Sequence, residues 1–120
     1  MYTQDTQQAR DWFAQKVAFT TGPFEVDAML RRGEKITVVD VRFPTDYLKG
    51  HVPGAINLPK GKWHTLQGLR RDRPTVVYCY SQTCKLAAEA AVEFAQNGYP
   101  VIEMDGGFDA WLANRLSIQT

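Results

Sequence analysis

The chain has 120 residues, 44% of them hydrophobic, which suits one domain with a single core rather than two domains. Its 14 lysine and arginine residues nearly balance 13 acidic residues, so the charge argues against binding nucleic acid or a membrane surface. The polar N-terminus lacks the apolar core of a signal peptide, and no later stretch approaches membrane-spanning length. We therefore expect a cytoplasmic protein whose two cysteines are reactive or metal-binding thiols rather than a disulfide scaffold.

The N-terminal segment predicts an amphipathic helix over residues 7–16. Four apolar residues recur there at near-helical spacing: Ala9, Trp12, Phe13 and Val17. We expect this helix to dock on the domain or on a partner, and a homodimer through it is one expectation. Residues 17–20 are compatible with a short edge strand. We assign residues 1–18 to a helical extension and residues 19–117 to the main domain.

Strands alternate with helices along the rest of the chain. Gly22-Pro23 opens a helix through Leu30, because proline suits the first helical position, and Gly33 ends it. Apolar runs bounded by turn residues predict four strands, at residues 36–41, 55–58, 75–78 and 101–104. Further helices are expected at residues 86–96 and after the pair Gly106-Gly107. This alternation predicts an α/β fold with a mostly parallel sheet of about five strands and helices on both faces.

Cys79 follows the strand at residues 75–78, and an alanine-rich helix pattern begins a few residues later at Leu86. This places the thiol on a strand-to-helix loop at the carboxyl end of a strand, where ligands bind in such folds. Main-chain N–H groups at a helix start favour a thiolate and lower the pKa of a nearby cysteine. The pattern therefore favours a nucleophile, although a buried and inert thiol is the common alternative.

Four sequence blocks together resemble the signatures of rhodanese-type sulfurtransferase domains. They are Val39-Asp40-Val41-Arg42, Gly50-His51-Val52-Pro53-Gly54-Ala55, Val77-Tyr78-Cys79 and Asp105-Gly106-Gly107-Phe108-Asp109-Ala110-Trp111. The blocks occur in the family's order, and the resemblance runs from about Phe19 to Leu116. It implies that Cys79 takes a sulfane sulfur from a small donor such as thiosulfate or a persulfide, holds it as a persulfide of its own and passes it to a thiol or protein acceptor. It implies no cofactor and no metal.

The loop after Cys79 is the predicted binding site for the transferred sulfur. A persulfide carries charge on its outer sulfur, so it needs several hydrogen-bond donors around a small anion. A curved loop of successive N–H groups supplies such a cradle. Hydroxyl groups and a lysine in this loop add to the positive electrostatic field at the bound sulfur. The residues expected to form the site are Tyr80, Ser81, Gln82, Thr83, Cys84 and Lys85.

Two residues depart from the family loop. Many relatives have glycine where Gln82 stands, and a side chain at that position disfavours a positive φ, so we expect a differently shaped loop. Many have arginine, serine or threonine where Cys84 stands. Cys84 is either a small residue in the first turn of the helix or a second reactive thiol. In the latter case it could resolve or accept the sulfur of Cys79, or form a reversible disulfide with it. A sulfur-carrying or redox-sensing module without turnover is therefore an alternative function.

A third function, that of a phosphatase or arsenate reductase, fits less well. These relatives have a loop one residue longer that ends in an arginine, whereas this chain has Lys85 at that position. Lysine cannot make the planar bidentate contact that arginine makes with a phosphoryl group, so the sequence favours sulfur transfer.

Asp40 and Arg42 are predicted to support the site rather than to react. The resemblance implies that Arg42 holds the fold through a carboxylate, for which Asp46 is the candidate. Asp40 leaves the sheet at the same edge as Cys79, where it either orders the loop or caps a turn.

The two histidines are not expected to take part in the chemistry. His51 lies in the second family block, which indicates architecture, and His64 has no context that specifies a pairing with Cys79. Their spacing from the cysteines does not form the paired pattern of a zinc site. Trp63 is expected near the rim of the pocket, as a packing residue.

Overall fold

One parallel sheet of five strands forms the centre of the structure, a computed structural model that describes residues 5–120. In chain order the strands are β1 (Thr20–Thr21), β2 (Thr37–Asp40), β3 (Ile56–Asn57), β4 (Thr75–Tyr78) and β5 (Val101–Met104). Their order across the sheet is β1-β5-β4-β2-β3, and every pairing between them is parallel. This confirms the predicted α/β class. Residues 1–4, part of the predicted extension and polar N-terminus, lie outside the described residues.

In the described part of the chain, five α-helices and one 3₁₀ turn lie before, between and after these strands. They are α1 (Thr6–Phe19), α2 (Pro23–Arg31), α3 (Pro44–Lys49), the 3₁₀ turn Trp63–Thr65, α4 (Leu86–Gln96) and α5 (Gly107–Ala113). The predicted edge strand over residues 17–20 is wrong in its first three residues, because α1 continues through Phe19 and β1 begins at Thr20. The sequence reading also missed α3, which is only six residues long.

Helices cover both faces of the sheet, as predicted. On one face, Val38, Val76, Tyr78 and Met104 pack with Val26 of α2 and with Phe108 and Trp111 of α5. On the other face, Val39, Val41, Val77 and Cys79 pack with Trp63 and with the α4 residues Ala87, Ala90 and Phe94. Successive strand residues point to opposite faces, so Tyr78 and Cys79 belong to different halves of the core. Cys79 therefore lies on the α4 side.

The N-terminal helix α1 contacts β1 and β5 but fully buries none of its residues. Its large apolar side chains are exposed, among them Trp12, Phe13, Val17 and Phe19. The homodimer through this helix stays a prediction. Among residues 5–120, no helix is both long enough and apolar enough to cross a bilayer.

Candidate functional site

Cys79 follows the last residue of β4 and is only 2% exposed. The main chain on either side of it is fixed to α5. The carbonyl of Cys79 accepts a hydrogen bond from the Phe108 N–H at 2.8 Å, and the carbonyl of Tyr80 accepts one from the Asp109 N–H at 2.9 Å. The start of α5 therefore holds the beginning of the loop in place.

The pair Gly106-Gly107 permits this close approach. Gly107 has φ +60°, and a Cβ there would lie 2.7 Å from the Cys79 carbonyl oxygen and 2.8 Å from the Ser81 nitrogen. Real Cβ atoms do not come this close to backbone atoms that cannot move aside. Only glycine fits against the loop at this point.

We expect Gly107→Ala to destabilise the fold and to displace the loop. Gly33→Ala is a matched control, because Gly33 has a similar φ of +70° but nothing within 4 Å of its added Cβ. The control should be destabilised only by the cost of a left-handed backbone, about 1–2 kcal/mol, whereas Gly107→Ala should be destabilised more and should also lose the sulfur-transfer activity that the sequence resemblance implies. Urea unfolding measures the first effect and thiocyanate formation the second. Equal destabilisation with full activity in both variants would show that the contact with the loop is unimportant.

Asp40 and Arg42 form a buried ion pair next to the loop. Asp40 is fully buried and Arg42 is 4% exposed. The Arg42 Nη2 and Nε donate to the Asp40 carboxylate at 2.8 and 3.1 Å, and the Arg42 N–H donates to it at 2.9 Å. The Tyr78 hydroxyl donates to Asp40 Oδ2 at 2.6 Å. The predicted Arg42–Asp46 pairing is therefore wrong, because residues two apart at a strand end lie on the same side and bring Asp40 to Arg42.

Charge and burial determine the ionisation states of Arg42 and of the Tyr78 hydroxyl. Burial lowers the pKa of Arg42, but the hydrogen bonds and charge of Asp40 outweigh it and leave the pKa above its ordinary value. Burial, reinforced by Asp40, raises the pKa of the Tyr78 hydroxyl far above its ordinary value, so it stays a neutral donor. The Arg42 guanidinium also lies 4.0 Å from the centre of the Phe108 ring. The pair thus ties the ends of β2 and β4 to α5.

Tyr80 points away from the loop and anchors it to α3. Its hydroxyl donates to Asp46 Oδ2 at 2.5 Å and accepts from the Phe43 N–H at 3.0 Å. The side chain of Tyr80 is therefore committed to α3, and only its main chain can face a bound sulfur. Sequence reasoning missed this contact. The signal for α3 was present, since Pro44 suits the first helical position and Asp46 the first turn.

The rest of the loop presents main-chain donors. Within residues 5–120, no protein group accepts a hydrogen bond from the N–H groups of residues 80–83. The Cys84 N–H differs from the prediction, because it donates to the Ser81 carbonyl at 3.2 Å and closes a turn. The Ser81 and Thr83 hydroxyls lie 3.3 Å apart. Four main-chain N–H groups can therefore donate hydrogen bonds to an anion in the predicted cradle.

Gln82 is exposed and does not adopt a positive φ. Within residues 5–120, the non-glycine residues with positive φ are Leu66 and Arg115. The loop therefore folds without the left-handed residue that glycine would allow at this position. Lys85 is also exposed and immediately precedes α4, and no side chain caps that helix start.

The structure joins Cys79 to Cys84 by a disulfide, with their Cα atoms 6.5 Å apart. This separation lies within the usual range for bridged cysteines. Cys84 is not in the first helical turn, as one prediction had it, because α4 begins two residues later at Leu86. It is instead partly buried and packs against the core half that contains Cys79. Any reaction of the Cys79 thiol requires this bond to open first.

The histidines lie in architectural or exposed positions. The ring of His51 stacks on Tyr47, its Nδ1 lies 2.8 Å from the Tyr47 carbonyl oxygen, and its main chain bridges to Gln119. His64 is exposed. Trp63 is 7% exposed and donates to the Leu58 carbonyl, so it is a core residue rather than one at a rim. Over the described part of the chain, no three His, Cys, Asp or Glu side chains are grouped to hold a metal ion.

A groove of about 320 Å³ runs from α1 to the loop. Its lining residues are Trp12, Gln15, Lys16, Thr20, Gln82, Glu103 and Asp105. Burial, and then the nearby charge of Asp105, raises the pKa of Glu103 above its ordinary value. The folded state therefore binds the Glu103 proton more tightly than the unfolded state, and ionised Glu103 opposes folding.

We expect Glu103→Gln to raise the melting temperature at pH 7. The penalty of ionised Glu103 is fully present above its folded pKa and vanishes below its unfolded pKa. The gain over wild type should therefore disappear below about pH 4. Thermal unfolding of both proteins from pH 3 to pH 8 measures this. A gain that is equal at pH 3 and pH 7 would mean that the ionisation of Glu103 is not its cause.

Comparison with known proteins agrees with the geometry. Residues 23–114 match the family described as rhodanese-like domain. Over 90 residues the chain is 37% identical to the thiosulfate sulfurtransferase GlpE of Pseudomonas fluorescens, an alignment covering 74% of this chain and 80% of that protein. It is 38% identical over 86 residues to the HTH-type transcriptional regulator Rv0324 of Mycobacterium tuberculosis. That alignment covers 69% of this chain but only 38% of the regulator.

A solved structure extends the likeness to α1. The BH2092 protein from Bacillus halodurans superimposes with a TM-score of 0.85 at 30% identity, covering 96% of this chain and 86% of its own. So few residues of this chain are left unmatched that most of α1 lies within the matched region. The helix therefore has a counterpart in that structure. Sequence blocks, fold and the match over residues 23–114 agree, and the chain therefore belongs to the rhodanese-like domain family.

Proposed function

We propose that this protein is a sulfurtransferase that moves a sulfane sulfur from thiosulfate or a persulfide donor to a thiophilic acceptor through a persulfide on Cys79. The carrying observation is the position of Cys79 at the carboxyl end of β4, followed by a loop whose N–H groups 80–83 have no acceptor within residues 5–120. Similarity to a thiosulfate sulfurtransferase supports the proposal at the level of the family.

The proposed reaction has two displacement steps. The Cys79 thiolate attacks the outer sulfur of thiosulfate, the S–S bond breaks, and sulfite leaves with the electron pair. The acceptor then attacks the outer sulfur of the persulfide, and Cys79 leaves as a thiolate. In both steps negative charge develops at sulfur. The loop N–H groups and the start of α4 stabilise this charge without reorganising.

The surrounding residues have separate roles in this proposal. The Ser81 and Thr83 hydroxyls and the Lys85 charge assist binding of an anionic donor. Asp40 and Arg42 hold the strand ends from which the loop departs. The Cys79–Cys84 bond must be reduced before turnover, so a reducing compartment such as the cytoplasm suits this chemistry.

Thiocyanate formation from thiosulfate and cyanide tests the proposal. The protein is reduced, freed of reductant and assayed by initial rates, with both substrates varied. A persulfide intermediate predicts the parallel double-reciprocal lines of a ping-pong mechanism. No thiocyanate with either thiosulfate or a persulfide donor, from folded, reduced wild type and from Cys84→Ser, which cannot close the Cys79–Cys84 disulfide, would contradict the proposal.

A second candidate is a sulfur-carrying or redox-sensing module without turnover, and the disulfide between Cys79 and Cys84 favours it. It predicts that a persulfide donor loads Cys79 but that small acceptors do not discharge it. A phosphatase or arsenate reductase fits less well, since Lys85 stands where arginine is needed. Hydrolysis of an aryl phosphate or reduction of arsenate would be required to support it.

A further inference from the structure

We propose that Cys84 is a resolving thiol that discharges the Cys79 persulfide as hydrosulfide, so that the protein couples sulfur release to oxidation of an external dithiol. The inference rests on the proposed function, because it requires Cys79 to carry the sulfur. Relative to the proposed function, it adds hydrosulfide as a second product and a dithiol as a second class of substrate. The dithiol would be a small molecule or a protein with two neighbouring thiols.

The positions of the two sulfurs carry this inference. They are bonded in the structure, and four residues separate Cys79 from Cys84. Both cysteines pack in the same half of the core, on the α4 side of the sheet. Cys84 therefore reaches the inner sulfur of a Cys79 persulfide, the atom that it contacts in the disulfide.

The loop that carries both thiols is held at its two ends. Its first residues are fixed by the Phe108 and Asp109 N–H groups, and its far end continues into α4, where the Glu89 N–H donates to the Lys85 carbonyl at 3.0 Å. The turn between Ser81 and Cys84 sets the approach of the second cysteine. Because both thiols belong to the same loop, the attack of Cys84 on Cys79 is intramolecular. Because both ends of this loop are held, the effective concentration of the attacking thiol is high.

The resolving step balances in atoms and electrons. The Cys84 thiolate attacks the Cys79 Sγ, the bond from Sγ to the outer sulfur breaks, and the outer sulfur leaves with the electron pair as hydrosulfide. The proton lost from the Cys84 thiol goes to solvent or to this product. In this step the Cys84 sulfur is oxidised and the outer sulfur is reduced, while Cys79 keeps its oxidation state. Over loading and resolution together, two thiols become a disulfide and the sulfane sulfur becomes hydrosulfide. Hydrosulfide is a weaker base than a cysteine thiolate, and the weaker base is the better leaving group.

The exposure of the two cysteines determines how the cycle closes. Cys79 is 2% exposed, whereas Cys84 is only partly buried. An external dithiol therefore attacks Cys84, and Cys79 leaves as a thiolate next to the N–H groups of the loop. The second thiol of the reductant then attacks the mixed disulfide and releases Cys84. The external dithiol ends as a disulfide, and both cysteines are restored.

A single-turnover experiment tests the inference. Reduced wild type and Cys84→Ser, freed of reductant, are mixed with limiting thiosulfate, and sulfite and hydrosulfide are measured separately. Sulfite reports loading of Cys79, and hydrosulfide reports resolution. Wild type should release about one hydrosulfide per sulfite and finish with the Cys79–Cys84 disulfide in a peptide map. Cys84→Ser should still form sulfite but release hydrosulfide at least about tenfold more slowly.

The outcomes separate this inference from the proposed function. Sulfite without hydrosulfide from wild type, or equal hydrosulfide from both proteins, would overturn the resolving role and leave sulfur transfer standing. Sulfur found on Cys84 in a peptide map would overturn it in favour of a relay. No sulfite from either protein would overturn both proposals. Cys84→Ala serves as a second variant, and a thermal unfolding transition shows that each variant is folded.

Discussion

Replacing Cys79 with serine should reduce thiocyanate formation from thiosulfate by at least about a thousandfold. The hydroxyl of serine is a far weaker nucleophile than a thiolate and cannot carry a sulfane sulfur. Cys79→Ala should be equally inactive, since it removes the reacting atom altogether. Initial rates of thiocyanate formation by reduced wild type and both variants measure the effect.

A thermal unfolding transition distinguishes loss of the nucleophile from loss of the fold. Cys79 is buried against α4, so serine places a hydroxyl in an apolar site, whereas alanine leaves only a small cavity. Cys79→Ala is therefore the cleaner variant. If either folded variant formed thiocyanate at the wild-type rate, Cys79 would not be the nucleophile.

Asp40→Asn should destabilise the protein by about 3–5 kcal/mol, because it removes the charge that balances the buried Arg42 guanidinium. The amide also cannot accept all the hydrogen bonds that the carboxylate receives from Arg42 and Tyr78. Domains of this size have a total stability of about 5–15 kcal/mol, so a large part of it would be lost. Urea unfolding of wild type and variant gives the difference.

Asp72→Asn is the matched control for this change. Asp72 also pairs with arginine, through Arg70 and Arg73, and these hydrogen bonds lower its pKa to about 2. However, its side chain is 53% exposed, and water compensates an exposed pair when it breaks. We expect no measurable loss of stability at pH 7. Equal effects of the two substitutions would contradict the structural role given to Asp40.

The sequence predicted the elements best where apolar runs meet turn residues. The bounds of β4, α4 and β5 agree with the prediction, because Pro74, Gly98 and the pair Gly106-Gly107 mark their ends. The short helix α3 was missed, since six residues carry too little periodicity to separate a helix from a turn. As a result, Asp46 of this helix was assigned the wrong hydrogen-bonding partner. Tyr80, 34 residues away along the chain, binds it, and sequence spacing does not report such a contact.

The site itself was predicted only as a segment. The sequence predicted that Cys79 lies at a strand end and that a loop follows it, because the strand and helix patterns on either side of the loop are strong. The pairing of Cys79 with Cys84 was one of several alternatives. Whether cysteines five positions apart can bond depends on the curvature of the loop, which here includes a turn from Ser81 to Cys84. The contact of Gly107 with the loop likewise depends on how α5 packs, which the sequence does not specify.

Mass analysis of loaded protein tests the central claim most directly. Cys84→Ser, reduced and treated with thiosulfate, is separated from the donor and digested without reductant. After tryptic digestion, the persulfide on Cys79 predicts a peptide spanning residues 72–85 that is heavier by one sulfur atom, since the bond from Arg73 to Pro74 is not cleaved. Fragmentation should place that atom on Cys79. Cyanide should remove it as thiocyanate. An unmodified Cys79 in folded protein, or a sulfur atom carried elsewhere in the chain, would contradict the account.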